Sequence, residues 1–349
     1  MDSHPLTIDR HRSLRLAEAE NAVRRLGSGE GAESLAGIAR FLLRSEAIAS
    51  SRIEGITPSP QQVAMAELAM SESIRGVHTR AQLVANNMTV VARASDQLVL
   101  CEFVTVEHIV GLHDSLLPDD PRTGLRTVQN WIGGSNWNPI DAAFVPPPAA
   151  LVPPLIDDLI GYLTGATHSP VLQAALVHAQ FETIHPFTDG NGRVGRALIH
   201  TVLARRGLLS AAVLPVSLVL ATLGDRYVDG LSRYRYQGPP HSPAATTGIR
   251  GWVDLFVEAT ILAADVAHEL KESVDELRTA WTERIAAQRV RSGVRSRPRG
   301  DSATARLLAL LPEAPIVTAR TLQRILGISH PTAQRRSRSW PQPMFFTSR

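Results

Sequence analysis

His185-Pro-Phe-Thr-Asp-Gly-Asn-Gly-Arg-Val-Gly-Arg196 is the stretch on which the reading of this chain turns. Upstream of it, Ser169 and Pro170 open a helix, because serine caps free N–H groups and proline suits the first turn. That helix runs to Ile184, where Pro186 forbids its continuation. A second helix begins near Asn191. Between the two, Gly190-Asn-Gly192 lets the backbone curl and aims consecutive N–H groups at one point. At a helix N-terminus such a nest is an anion site. Arg193 and Arg196 stand three apart on that helix and share one face beside the loop. Two guanidinium forks over a nest of amides suit a polyphosphate better than a single carboxylate.

The flanking residues add chemistry. Asp189, at the loop rim, suits Mg²⁺ bridging phosphate oxygens. His185, at the opposite end of the loop, suits removal of a proton from an incoming hydroxyl. Base, metal ligand and polyphosphate cradle together describe transfer from a nucleoside triphosphate. The chain has neither a Gly-x4-Gly-Lys-Ser/Thr loop nor a kinase-type glycine-rich loop, so the nucleotide fold is neither of those. Taken singly, His-Pro-Phe reads as packing and Gly-Asn-Gly as a turn; in this order, between two helices, they read as a site.

The segment resembles the signature of the Fic family, His-x-Phe-x-Asp/Glu-Gly-Asn-Gly-Arg-x-x-Arg, at every specified position: His185, Phe187, Asp189, Gly190, Asn191, Gly192, Arg193 and Arg196. Phe181-Glu182-Thr183-Ile184 before it, and Gly124-x-Arg126 leading into Ile132-Gly133-Gly134, agree as well. The resemblance spans about residues 30 to 240 and implies an all-helical core with a β-hairpin flap that transfers AMP from ATP to a Ser, Thr or Tyr hydroxyl of a protein. It gives His185 the role of base, Asp189 that of Mg²⁺ ligand, and Phe187 a place in the core. Gly190, Asn191 and Gly192 would hold the inner phosphates, and Arg193 and Arg196 the outer ones. Family members that phosphorylate instead replace the second glycine and the arginine of the loop; Gly192 and Arg193 are intact here, which favours AMP transfer. Tyr227 falls where the family places aromatic side chains near the nucleoside. His178, on the same helix as His185, reads as a packing residue rather than a metal ligand.

Ser50-Ser-Arg-Ile-Glu54-Gly55 fits the family's inhibitory pattern Ser/Thr-x-x-x-Glu-Gly/Asn and lies before the core. Ser50 and Glu54 are one turn apart at a helix end closed by Gly55. A carboxylate is poorly placed at the negative end of a helix dipole and should seek an external cation. The resemblance supplies Arg196, which would otherwise hold the outer phosphate. The chain is thus expected to be a self-inhibited transferase, with self-modification and a homodimer left open.

Outward from this centre, helical periodicity recurs along the chain and period-two alternation is nearly absent, which gives an all-α class. Helices are expected over 10–26, 34–53, 60–73, 79–98, 105–116, 155–163, 170–184, 192–206 and 225–234, with one long helix from Trp252 to about Gln288 after a proline-bearing linker. Residues 124–154 break the rhythm: extended runs around Ile132 and Phe144, either side of a Gly/Asn/Pro turn, read as the hairpin flap. Its open edge would take an extended target segment by strand addition. The expected organisation is an N-terminal helical region with the inhibitory helix (1–100), the catalytic core (101–236), a linker with the long helix (237–292), and a basic tail (293–349).

Composition limits the alternatives. The 349 residues carry a net charge of only +3, but from Arg284 onward 13 arginines face two acids, so the tail is strongly cationic and the body acidic. That asymmetry suits a module that touches a polyanion. Ala303–Leu311, Thr318–Leu326 and Pro331–Ser337 read as three helices of a helix-turn-helix. A winged-helix tail would continue in strands; here Ser337–Arg349 ends on Trp340-Pro-Gln-Pro343, so the wing is truncated and DNA contact stays open. The runner-up reading is a DNA-binding regulator that uses the core as a nucleotide sensor. Another keeps the transferase but changes its donor to UTP, GTP or CDP-choline. A single cysteine, Cys101, excludes an internal disulfide. The N-terminus lacks an apolar core and is no signal peptide. The uncharged run Gly207–Gly224, broken by Pro215, reads as two buried pieces rather than a membrane span. No membrane and a cytoplasmic location are therefore expected.

Overall fold

The structure, a computed structural model, describes residues 8–27, 37–74, 76, 78–135, 137–165, 167–209, 212–291, 293, 303–313, 316–329 and 331. The chain divides into two compact units, 1–269 and 270–349. The first holds α1 (Arg10–Leu26), α2 (Ala39–Ile53), α3 (Pro60–Glu72), α4 (Thr79–Leu100), α5 (Val106–Leu116), α6 (Val152–Thr164), α7 (Pro170–Ile184), α8 (Asn191–Arg205), α9 (Val216–Thr222), α10 (Gly224–Tyr234) and the start of α11 (Pro243–Arg291). The second holds the end of α11 with α12 (Ala303–Leu310) and α13 (Ala319–Leu326), which pack on each other. The expected third tail helix and the segment after it lie outside the described residues, Pro331 excepted.

Local chemistry fixes the helix ends. Asp9 caps α1 by accepting the Arg12 N–H at 2.9 Å. Ser59 and Gln62 close a capping box on α3, with Pro60 in its first turn. These side chains satisfy N–H groups that have no carbonyl one turn back. The long helix starts at Pro243, inside the expected linker, because Pro243 sits where its missing N–H is no loss and Ser242 Oγ accepts the Ala245 N–H at 3.1 Å.

The hairpin α7–α8 is the centre of the first unit. Nearly every residue of both helices is buried, because α8 is covered by α4 and α7, and α7 also by α6 and α1. Phe181, Phe187, Trp252 and Phe256 are fully buried. Trp252 donates its indole N–H to the Ala175 carbonyl at 2.8 Å, so this large side chain enters the core with its one polar atom satisfied. The uncharged run contributes α9 and the start of α10, and among the described residues no helix is long and apolar enough to cross a membrane.

The flap is smaller than expected. Its two extended runs meet at one antiparallel bridge, Ile132 with Phe144, where the Ile132 N–H bonds the Phe144 carbonyl at 2.9 Å. The ladder stops there for a local reason: Ser135 and Asn138 side chains accept the N–H groups of Trp137 and Ile140 at 3.1 and 3.2 Å. Such short polar side chains compete with strand pairing, and Pro146–Pro148 have no N–H to give.

Helix α2 lies antiparallel along α8. Glu46 is fully buried; its Oε1 is 3.0 Å from His200 Nε2 and accepts the Ser217 hydroxyl, and its Oε2 accepts the Ser217 N–H at 2.9 Å. One turn further on, Ser50 meets Arg196; another turn on, Glu54 meets Arg196 and Gly192. Each step of four along α2 matches a step of four back along α8, so Glu46 sets the register that delivers Glu54. Glu46→Ala is expected to lower stability by roughly 3 kcal/mol, since it strands buried donors of Ser217 and the His200 ring. Urea unfolding measures this, and a loss within error of zero would contradict the anchoring role.

Candidate active site

His185 ends α7 in the left-handed region (φ 51°, ψ 61°), its N–H on the Phe181 carbonyl at 2.9 Å. A non-glycine residue held there needs surrounding support. Arg126 gives it: the buried guanidinium donates to the carbonyls of His185 (2.9 Å), Ile184 (3.3 Å), Val128 (3.1 Å) and Pro147, and its own N–H bonds the Pro186 carbonyl at 2.8 Å. It caps the C-terminus of α7 and ties the base of the flap to the loop. Asn130 adds a bond to the Phe187 carbonyl at 2.9 Å.

The loop is stapled from inside. Phe187 is fully buried and stacks on His113, ring centres 4.1 Å apart. Asn191 accepts the Phe187 N–H and donates to the Phe187 carbonyl, both at 2.8 Å. Its side chain therefore shapes the loop rather than facing a phosphate. Gly190 has φ 78°, and a Cβ there would come within 2.8 Å of Leu116, so both conformation and space demand glycine. The α8 ladder starts with Val194 N–H on the Gly190 carbonyl; the first-turn N–H groups before it have no helical acceptor. One of them, Gly190 N–H, meets Asp189 Oδ1 at 2.6 Å.

The two arginines differ. Arg193 is buried, yet its Nε and Nη1 have no hydrogen-bond partner, and Asp189 is 3.8 Å from Nη2. Burial without an anion pushes the guanidinium below its usual value despite the nearby Asp189 and Glu54 charges. Arg196, 1% exposed, is fully engaged. Its Nη2 donates to Glu54 Oε1 at 2.7 Å and to the Ser50 carbonyl at 2.8 Å, its Nε to Ser50 Oγ at 3.0 Å, and its Nη1 to the Tyr227 hydroxyl at 3.4 Å. Burial alone would push the Glu54 carboxyl up, but the Arg196 charge and hydrogen bond, with Arg193 and His185 behind them, hold it below the usual carboxylate range. The Glu54 carboxylate lies over Gly192: a Cβ there would sit 2.0 Å from Oε1. Ser50, Glu54, Gly192 and Arg196 thus form one closed cluster.

Asp189 stands at the rim with its carboxylate 62% exposed, and its carbonyl accepts from the His113 ring at 3.2 Å. Among the described residues no three His, Cys, Asp or Glu side chains gather to enclose a metal. One exposed carboxylate beside a phosphate cradle still fits Mg²⁺, which takes a carboxylate or two and completes its shell with phosphate and water. Tyr227 is buried rather than open to a pocket. It stacks on His178 and lies 2.9 Å from its Nε2, while burial, with the Arg196 charge, pushes His178 down to about 3 and keeps it neutral. Ile132 and Phe144 meet at the flap bridge, and Phe144 lies under Arg235, whose guanidinium carbon is 4.2 Å from the ring centre.

His185 is mostly buried, its side chain 18% exposed. Burial and the Arg235 charge push the imidazole down to about 4, so it is neutral at pH 7 and able to accept a proton. Three groups that matter here escape a reading of the motif alone: Glu182, Arg235 and Glu46. Glu182 carried a signal, three residues before His185 on one helix face, and Glu46 another, two turns before Glu54.

Residues 103–203 match the family model described as the Fic/DOC family. A probable protein adenylyltransferase of Aquifex aeolicus (strain VF5) is 44% identical over 72 residues, 20% of this chain and 22% of that protein. The protein adenylyltransferase fic-1 of Caenorhabditis elegans is 30% identical over 136 residues, 35% of this chain and 25% of that one. This chain therefore covers about a quarter or less of the length of these relatives. A crystal structure of a Fic family protein from Desulfovibrio desulfuricans G20 superposes with a TM-score of 0.60 at 24% identity, over 95% of this chain and 89% of that one. Motif and family match agree: residues 103–203 are similar to the Fic/DOC family, and the helical fold is similar to that of a Fic family protein.

Proposed function

We propose that this chain is a self-inhibited protein adenylyltransferase, which moves AMP from ATP to a Ser, Thr or Tyr hydroxyl of a protein, itself included. One observation carries the reading. Two buried arginines flank a glycine-bent helix N-terminus, one with unmet donors and the other occupied by a carboxylate from α2. Unmet buried guanidinium donors are costly, and an anionic phosphate satisfies them. The nest and Arg193 hold the inner and outer phosphates, and Asp189 would hold Mg²⁺ on their oxygens, where the ion's charge offsets that of the phosphates.

His185 takes the proton. Its Nδ1 faces Glu182, so Nε2 is the nitrogen left for an incoming hydroxyl. As the hydroxyl oxygen bonds to the α-phosphorus, its proton passes to Nε2, the bond from that phosphorus to the bridging oxygen breaks, and pyrophosphate leaves. Arg126 fixes the carbonyl end of the His185 turn, which holds the ring beside the loop. The uncovered edge around Ile132 lines up an extended target segment.

Inhibition follows from occupancy. Glu54 uses the Nη2 of Arg196 and fills the space over Gly192, so the outer phosphate and Glu54 compete for the same donors. The chain works in the cytoplasm, and the arginine-rich tail supports contact with a polyanion such as duplex DNA.

Glu54→Gly should raise incorporation of labelled AMP by about 10-fold or more, the scale of one charge-assisted contact released, while His185→Ala in that background should lower it by about 100-fold or more. Equal signals from wild type and Glu54→Gly would remove the inhibitory assignment. Ile132→Asp should depress modification of a protein target several-fold more than it weakens ATP binding measured by calorimetry. Parallel losses would instead mean that Ile132 only packs the flap.

A further inference from the structure

Glu182 lies in the last turn of α7 and is buried, 6% exposed. Its Oε2 is 4.0 Å from His185 Nδ1, and its Oε1 has no hydrogen-bond partner. His185 Nδ1 is likewise buried and closes no full hydrogen bond, although the nearby Glu182 carbonyl also favours the protonated ring. A carboxyl and an imidazole nitrogen, both unmet and side by side in the core, call for a reason, because each unmet buried group destabilises the fold. Gly195 makes the room: a Cβ there would come within 3.1 Å of Glu182 Oε1. Arg235 holds the turn from the other side, donating to the Glu182 carbonyl at 3.1 Å while its guanidinium covers the Phe144 ring of the flap.

We propose that Glu182 is a positioning residue for His185: its carboxylate draws the Nδ1–H, fixes the tautomer that leaves Nε2 free for the hydroxyl proton, and offsets the charge of the imidazolium that forms. The inference rests on the reading of His185 as the base. The proton taken from the hydroxyl ends on Nε2 and leaves from there to water, while Nδ1 keeps its own throughout, shared with Glu182. A carboxylate so placed acts through the histidine and does not touch the substrate.

The groups around Glu182 set when it can do this. Arg196 on α8 and Arg235 after α10 favour its ionised form, and Glu54 from α2 opposes it. His178 and His185 on its own helix, and Tyr227 on α10, are neutral neighbours. Burial outweighs the two cations and pushes the carboxyl up to about 7. Below that pH Glu182 carries its own proton and offers His185 no charge; above it the carboxylate supports the base. Transfer is therefore expected to rise as the pH passes upward through about 7, far above the titration of His185 itself.

The experiment compares Glu54→Gly with Glu54→Gly/Glu182→Gln and Glu54→Gly/Glu182→Asp across pH. Glutamine should lower the plateau rate about 10-fold and abolish the rise through neutral pH, with ATP affinity by calorimetry unchanged. Aspartate should keep the rise. An unchanged rate and profile in the glutamine variant would overturn the proposal. A second measurement is free of turnover: the imidazole resonances of His185, followed by NMR in Glu182→Gln and in the otherwise unaltered protein. The unaltered protein should show an inflection near pH 7 as Glu182 ionises, and the variant should lose it. Absence of that inflection overturns the positioning role even where glutamine prevents folding. Failure of Glu54→Gly to transfer AMP at all would instead strike the proposed function and leave the histidine titration to judge Glu182.

Discussion

A guanidinium buried to 1% exposure sits at the middle of this molecule, and the surrounding layout follows from the need to satisfy it. Arg196 projects from α8 into a core made by α2, α7 and α10, where water is absent and each N–H must find an oxygen. Four acceptors from two elements supply them, Ser50 twice and Glu54 from α2 and Tyr227 from α10. Burial opposes the charge, but Tyr227, Glu54 and Glu182 together more than compensate, so Arg196 holds its proton more firmly than usual. Removing one acceptor does not merely cancel a contact; it leaves a buried cation short of a partner.

The geometry that delivers those acceptors is a helix register. Glu46 with His200, Ser50 with Arg196 and Glu54 with Gly192 are successive rungs between two antiparallel helices, each one turn from the last. A shift of α2 by one residue would rotate Glu54 by about 100° around its helix axis and off Arg196. The lowest rung is fully buried and the uppermost is partly open, with the Glu54 side chain 37% exposed. The contact between α2 and α8 is therefore dry at Glu46 and reached by solvent at Glu54.

Arg193 shows the complementary condition. It shares the loop with Arg196 and is as deeply buried, yet Nε and Nη1 meet nothing, and its proton is held less firmly than usual. One arginine is answered by the protein and the other is not. The histidines of α7 differ in a similar way: His178 Nε2 meets the Tyr227 hydroxyl within the core, while Nδ1 of both His178 and His185, with Glu182 Oε1, lacks a hydrogen-bond partner.

Much of this was legible in the order of residues. Pro170 in the first turn, the stop at Pro186 and glycine at Gly190 act within a few residues of themselves, so the α7–loop–α8 hairpin and the helical class could be read directly; the expected serine cap did not form, since the Ser169 hydroxyl makes no hydrogen bond to the first turn of α7. The pairing of Glu54 with Arg196 came from the family pattern, since nothing local joins two side chains 142 positions apart. Other features needed the tertiary fold. Asn191 turned inward to staple Phe187, Tyr227 went into the core, the flap kept a single bridge among the described residues, and Glu46, Glu182 and Arg235 gained their importance. Sequence by itself determined where the backbone bends and which groups can carry charge, because those are properties of single residues and their neighbours. Only three-dimensional packing decided which charges are dried and which are answered, because desolvation depends on helices brought together from distant parts of the chain.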